Sequence, residues 1–299
     1  VEAAALGRTR FLIPAFDRFV GVDWSGAAGS NYAGIAVADC RVGGGAPTLI
    51  GPPRRRWRRT DFVDWMAAQA GRGERLLVGI DCAFALPSPM AVGLLGENYT
   101  AAALWAYIDA ACVDAPDFFG GPFAGHEAHT GHFWHSGPRP AGFAELHRAT
   151  EHACRAAGLG SPESPLKLVG ARQVGKGGLA GMRVLHRLKQ QLGKRFAVWP
   201  FEPMDKADIV CVELYPRLFM KMCGQGNGKI RTAAALNRNL AALDAMPYID
   251  PAETLSDHET DALVAAAGLR FIAGDRAVWS PVGMDSLAIR AEGWIFGVT

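Results

Sequence analysis

The six cysteines of this 299-residue chain never approach one another as a C-x-x-C pair; Cys40, Cys82, Cys112, Cys154, Cys211 and Cys223 stand far apart. That rules out a C-x-x-C redox motif, and several of them sit in apolar runs, which suits buried free thiols in a reducing cytoplasm. No apolar run reaches the roughly 18 residues of a membrane span, so no membrane partner is expected. Residues 1–18 carry Arg8 and Arg10 inside their apolar part, a poor secretory signal, and read as an N-terminal extension. An excess of one charge is also lacking: +2 overall is too little to argue for a polyanionic partner by itself. Internal repeats and linkers are absent, so 19–299 reads as a single domain. No Ser/His/Asp or Cys/His arrangement for nucleophilic catalysis stands out. What is present is 49% hydrophobic and 20% charged residues, ordinary for a globular protein with a substantial core.

The pattern of elements is α/β. Phe19 to Val22 reads as a strand ending at Asp23 and a small-residue turn, Ser25 to Gly29. Tyr32 to Ala38 and Thr48 to Ile50 follow at short spacing, which predicts an antiparallel meander. Thr60 then caps a helix whose apolar positions Phe62, Val63, Met66, Ala67 and Ala70 keep the 3.6 period. Leu76 to Ile80 and Ile209 to Val212 are unbroken apolar runs, as in strands buried on both faces; they end at Asp81 and Glu213. A strand, a crossover helix and a buried strand make a parallel unit. Helices are also predicted over 101–113, 141–157, about 179–192 and 231–245. Residues 116–140, rich in Gly, Pro and His, read as irregular, within an insertion at about 115–178. A last helix opens with Ser256-Asp257-His258-Glu259, a capping box.

Three apolar strands thus end in acids: Asp23, Asp81 and Glu213. In open α/β sheets the ligand site lies outside the carboxyl ends of the strands. The final helix adds Asp257 and Asp261, four residues apart on one face, and Asp261 aligns with Ala265 and Leu269 on the side toward the sheet. The run Ala262 to Gly268 lets that helix pack closely on the strands. Clustered carboxylates take up protons unless a cation neutralises them. A hard divalent ion, Mg²⁺ or Mn²⁺, is the natural occupant.

Val20-Gly21-Val22-Asp23-Trp24-Ser25-Gly26, Gly79-Ile80-Asp81-Cys82-Ala83-Phe84-Ala85-Leu86-Pro87, Val212-Glu213-Leu214-Tyr215-Pro216 and Asp261-Ala262-Leu263 resemble the domain-of-unknown-function family 429. Val174-Gly175-Lys176-Gly177 and Trp199-Pro200-Phe201-Glu202 are similar to that family too, and the resemblance spans about 19–295. It implies a ribonuclease-H-like fold, here a mixed five-stranded sheet with helices on both faces, and a nuclease acting on DNA or RNA. Asp23, Asp81, Glu213 and Asp261 would be the catalytic acids by position. The implied reaction is phosphodiester hydrolysis by two metals about 4 Å apart, with Asp23 bridging, Asp81 and Asp261 flanking, and Asp257 a further metal candidate.

Other motifs compete. Gly170-Ala171-Arg172-Gln173-Val174-Gly175-Lys176-Gly177 nearly spells a Walker A loop between an apolar run, Leu166 to Val169, and a helix, but Gly177 replaces the Mg²⁺-binding hydroxyl. It leaves two alternatives: a nucleotide-binding phosphotransferase, or a backbone-amide loop whose Lys176 touches substrate phosphate. His126, His129, His132 and His135 cannot all converge on an α-helix, though two or three could meet in a loop. Arg54 to Arg59, interrupted by Trp57, is the strongest basic cluster. It could clamp phosphates or be a solvated edge strand. Lys176, Ser25, Arg55 and Arg58 are the candidate substrate-binding residues. A non-catalytic nucleic-acid or metal-binding protein is a further alternative.

Overall fold

The computed structural model describes residues 13–299 apart from 30, 31, 33, 130, 142, 171, 172, 225–227 and 250–254. Most of the expected extension therefore lies outside the described residues, as do Ala171 and Arg172 of the Walker-like segment. The chain opens with the predicted meander: β1 (Arg18–Asp23), β2 (Ala36–Arg41) and β3 (Thr48–Leu49) pair antiparallel in turn. β2 begins at Ala36 rather than Tyr32. α1 (Arg59–Gln69) then crosses to β4 (Leu76–Ile80), which lies parallel to β1 on its free side.

Helices α2 (Ser88–Leu95), α3 (Ala101–Ala111), α4 (Gly121–Gly125), α5 (Ala149–Ala156) and α6 (Val174–Leu192) follow. Next comes β5 (Phe196–Val198), then β6 (Ile209–Glu213), α7 (Pro216–Met222), α8 (Ala233–Ala242), α9 (Asp257–Ile272) and α10 (Arg276–Trp279). β6 pairs parallel with β4 and β5 parallel with β6, giving the order β3-β2-β1-β4-β6-β5. The sheet has six strands, where five were expected. The added one, β5, is only three residues long and too short for its period to declare it.

Pleating divides the core between the two faces. Val20, Val22, Val78, Ile80 and Cys211 pack on one side with residues of α1, α3 and α6. Phe19, Leu77, Val210 and Val212 pack on the other with α7, α8 and α9. All five residues of both β4 and β6 are buried, as unbroken apolar runs require. α9 lies so close on β1 that a Cβ at Gly21 would stand 2.4 Å from the Ala262 carbonyl oxygen and the Ala266 nitrogen. Only a glycine facing a row of alanines permits that approach.

Two helix starts differ from expectation. α1 begins at Arg59, and the carboxylate that caps it comes from the insertion: Asp117 accepts from the backbone N–H of Arg59 (3.1 Å) and Thr60 (2.8 Å). α5 begins at Ala149 instead of Ala141, because the Glu151 side chain turns back to the Arg148 N–H at 2.5 Å and fixes the start there. No helix of the described residues is long and apolar enough to cross a membrane.

Candidate functional site

Asp23 is the last residue of β1, and Asp81 extends β4 by one step, its N–H donating to the Val22 carbonyl at 3.0 Å. Glu213 ends β6 in register with Ile80. That offset of one residue matters, because neighbouring strands in register point their side chains to the same face. Glu213 shares the face of Ile80 and Val22, while Asp23 and Asp81 face the side that α9 covers. The pleat therefore divides the predicted acid set in two.

On the α9 side, His258 Nδ1 donates to Asp23 Oδ2 at 2.6 Å. Burial raises the Asp23 pKa, and the hydrogen bond and charge of His258 work against that rise. His258 is itself raised, first by the hydrogen bond to Asp23. Asp261, one turn further along α9, is pushed up to about 7 by burial and then by the charges of Asp23 and Asp257. Asp81 is raised well above the usual carboxylate range by burial, then by Asp23, Asp261 and Glu213. At Asp81 every contribution disfavours the ion, and no hydrogen bond offsets them. Asp257, by contrast, sits at the open end of α9 with its carboxylate paired to Lys229, whose hydrogen bond lowers its pKa. That pairing gives it a partner of its own, away from the three inner acids.

On the other face Glu213 is fully engaged. Its Oε2 accepts from Arg148 Nη1 (2.8 Å) and the Phe84 N–H (3.0 Å), and its Oε1 from Arg148 Nη2. Arg148 turns its Nε to Glu151 Oε1 at 2.9 Å and its Nη1 also to the Glu292 carbonyl at 3.2 Å. This buried Glu151–Arg148–Glu213 triad and the Phe84 N–H take three of the roughly four lone-pair directions of Glu213, so the strand-end acid anchors the floor of the site.

Above that floor lies a cavity of about 460 Å³, walled by Trp24, Ser25, Asp81, Arg148, Lys176 and Tyr215 among others. The structure thus brings Ser25 and Lys176 to the same cavity as Asp81. The segment Val174 to Gly178 is the first turns of α6, not a loop, and Leu166 to Val169 forms only an isolated bridge between Lys167 and Trp134. The strand that a Walker A loop should follow is therefore absent from that segment. The glycines serve packing. A Cβ at Gly26 would stand 2.0 Å from the Lys176 carbonyl carbon, and one at Gly181 2.3 Å from Cys82 Sγ. Glycine at both positions lets α6 seat directly on the turns after β1 and β4, presenting its N-terminal dipole to the cavity.

The arginine run is neither an edge strand nor uniformly solvated. Arg54, Arg55 and Arg56 are exposed in the loop before α1, and Arg55 and Arg56 line a second cavity of about 410 Å³ with Tyr32, Trp57 and His258. Arg58 is the N-cap residue of α1, with a buried Nε lacking a partner, and lines neither of these two cavities. Arg59 is wholly buried and donates to the carbonyls of Ser25 (2.6 Å), Ala27 (3.1 Å) and Asp117 (2.6 Å) and to the Tyr32 hydroxyl (2.5 Å). It ties the turn after β1 to the insertion. Of the histidines of the insertion, His126 and His129 meet, with ring centroids 5.3 Å apart, and His129 is buried, with Nδ1 2.7 Å from the Phe123 carbonyl and Nε2 3.3 Å from the Tyr107 hydroxyl. His258 and Arg148 are residues that sequence reasoning passed over, and Arg59 it placed in a phosphate-clamping or solvated cluster rather than in the interior. Glu151 did carry a signal, an acid three residues before buried Cys154 on the same helix face.

Among the described residues no group of three or more His, Cys, Asp or Glu is drawn together closely enough to hold a metal ion. The donor chemistry fits a hard cation, since Asp23, Asp81 and Asp261 offer only carboxylate oxygens. No family model matches the chain, and no curated protein and no solved structure matches it.

Proposed function

We propose that this protein is a metal-dependent nuclease of ribonuclease-H-like fold, hydrolysing phosphodiester bonds of DNA or RNA with Mg²⁺ or Mn²⁺ held by Asp23, Asp81 and Asp261. The observation that carries the reading is Asp81: a half-buried carboxylate on a cavity wall, facing two other acids, with no hydrogen bond to offset its charge. An unpaired buried charge is a net cost to the fold unless a cation neutralises it. The antiparallel meander followed by parallel crossover units agrees with the fold, and the motif resemblance to the domain-of-unknown-function family 429 points the same way.

A divalent ion bound there would supply charge neutralisation to the attacking and leaving oxygens. The chain's own groups complete the site. Lys176 and the N-terminus of α6 face the cavity with positive potential, suited to a phosphate. His258 commits Nδ1 to Asp23, which leaves Nε2 as the ring atom able to exchange a proton with the substrate. Arg148 holds Glu213, and through it the turn that bears Asp81 to Phe84, in one position.

Calorimetry with Mn²⁺ tests this. The native protein is expected to bind the ion, and Asp81→Asn to lose that binding while remaining folded, because an amide is a poorer ligand for a hard cation. A fluorogenic oligonucleotide should be cut by the former and not the latter. Unchanged Mn²⁺ affinity in Asp81→Asn would remove Asp81 from the site.

A further inference from the structure

We propose that the first cavity takes one unpaired nucleotide base-first, and that its floor favours bases with an amino group on the pairing edge over uracil and thymine. This rests on the nuclease reading and adds which part of a nucleic acid the site reads. The cavity, about 460 Å³, falls within the roughly 300–1,000 Å³ of small-ligand pockets. Its two ends differ in depth and in chemistry. Val174, at the start of α6, is 36% exposed on the rim, and Lys176 stands on the same turn. At the floor Arg148, Glu151 and Glu213 are only 1%, 2% and 3% exposed.

That triad has acceptors left over and no donors. A guanidinium carries five N–H groups, and in Arg148 all five are engaged: Nε with Glu151, Nη1 with Glu213 and the Glu292 carbonyl, Nη2 with Glu151 and Glu213. Each carboxylate has roughly four lone-pair directions and accepts three bonds. Glu213 takes two from Arg148 and one from the Phe84 N–H; Glu151 takes two from the Arg148 side chain and one from its backbone. One acceptor direction remains on each. Two carboxylates against one guanidinium also leave no positive charge over for a phosphate. A phosphate therefore belongs at the rim, with Lys176 and the N-terminus of α6, and a hydrogen-bond donor at the floor. Between them Ala83, Leu214 and Ile295 give the wall an aliphatic stretch, suited to the ring of a base. A nucleotide presents those three chemistries in that order. On the pairing edge guanine, cytosine and adenine each carry an amino donor. Uracil and thymine bring two carbonyls to a single N–H there, and carbonyl oxygens facing carboxylates are repelled. In a duplex that edge is already occupied, so the nucleotide must be unpaired or extruded to be read.

Calorimetry with nucleoside 3′,5′-bisphosphates in the presence of Mn²⁺ tests the proposal, using ribose and deoxyribose forms of two pairs: guanosine against inosine, and cytidine against uridine. The amino-bearing member of each pair should bind about tenfold or more tightly, the scale of one hydrogen bond to a charged group. A preference in one pair alone supports the proposal and names the base. Val174→Trp narrows the cavity from its partly exposed rim; it should remove the preference and leave Mn²⁺ affinity unchanged. Lys176→Ala, altered at the phosphate end, should weaken all members alike and keep the ratio within each pair. Equal affinities within both pairs, no binding of any member, or a preference that survives in Val174→Trp overturns the base-first reading, while Mn²⁺ binding keeps the nuclease reading standing. A native protein that binds no Mn²⁺ overturns that reading, and this inference with it.

Discussion

Asp261 and Arg59 are both ionisable and both turned inward, yet their burial has opposite consequences for the free protein. Asp261 titrates at about 7 in the fold against about 3.9 in an unfolded chain. A folded-state pKa above the unfolded one means the native state holds the proton more tightly, so its contribution to stability is full below about pH 4 and is lost as pH rises through 7. Asp261→Asn escapes that loss. In metal-free protein the variant should gain on the native chain between pH 5 and pH 8, by about 2–4 °C in Tm for each kcal/mol relieved, and it should lose the Mn²⁺-induced rise, since only binding to the native state shifts the equilibrium. Melts at both pH values with and without Mn²⁺ check this; a variant that melts lower at pH 8 without metal marks Asp261 as a structural acid. Arg59→Ala should cost about 3 kcal/mol or more in urea unfolding, the scale of breaking a buried pair, whereas exposed Arg55→Ala should stay within about 0.5 kcal/mol. Asp23 and Asp81 stood out as acids at the ends of apolar runs, and Asp261 by sharing a helix face with Ala265 and Leu269. His258 was hidden inside a capping box that already explained its neighbours, and Arg59 inside a run of like residues whose burial no local pattern separates. Glu213 was legible as a strand-end acid, but its face was not, because register between distant strands is not written locally.

At the level of elements, length decided what could be read. β4 and β6 announced themselves as apolar runs of five and four residues, and the Ser256–Glu259 box placed the start of α9 where it stands. β5, with three residues, and α7, with seven, fell below any usable period. The cap of α1 was unreadable for another reason: Asp117 lies 58 positions from Arg59 in sequence. The glycines of α6 resembled a phosphate loop because a close helix-to-turn contact and a close backbone-to-phosphate contact ask for the same residue. A double-mutant cycle separates those uses. Gly181→Ala should cost about 1–3 kcal/mol by overpacking against Cys82 Sγ, and much less in a Cys82→Ala background, where the nearest remaining atom is the Cβ at 3.6 Å. Additive costs would show that the contact is not what keeps position 181 a glycine.

Across the whole molecule, the two faces of the sheet meet at the segment 288–298. Glu292, buried, accepts from the N–H groups of Ser88 (2.7 Å) and Ala149 (3.1 Å), so one carboxylate serves the starts of both α2 and α5. The Ile295 N–H donates to Thr150 Oγ1 at 2.8 Å, and the Phe296 N–H to the Glu213 carbonyl at 3.0 Å. Glu292→Ala leaves two amides unpaired and should cost about 2–6 kcal/mol, at 1–3 for each orphaned group. Hydrogen exchange should quicken at Ser88 and Ala149 while β1 and β4 keep their protection; unchanged exchange at both amides would show that the carboxylate is dispensable to them. The same segment sets an order in time. Glu292 and Ile295 leave the ribosome after the strands, α6 and α9 have all emerged. Until they dock, the Arg148 triad lacks a partner and the first cavity lacks part of its wall. A nascent chain that already displays its three acids is thus still without a finished floor beneath them.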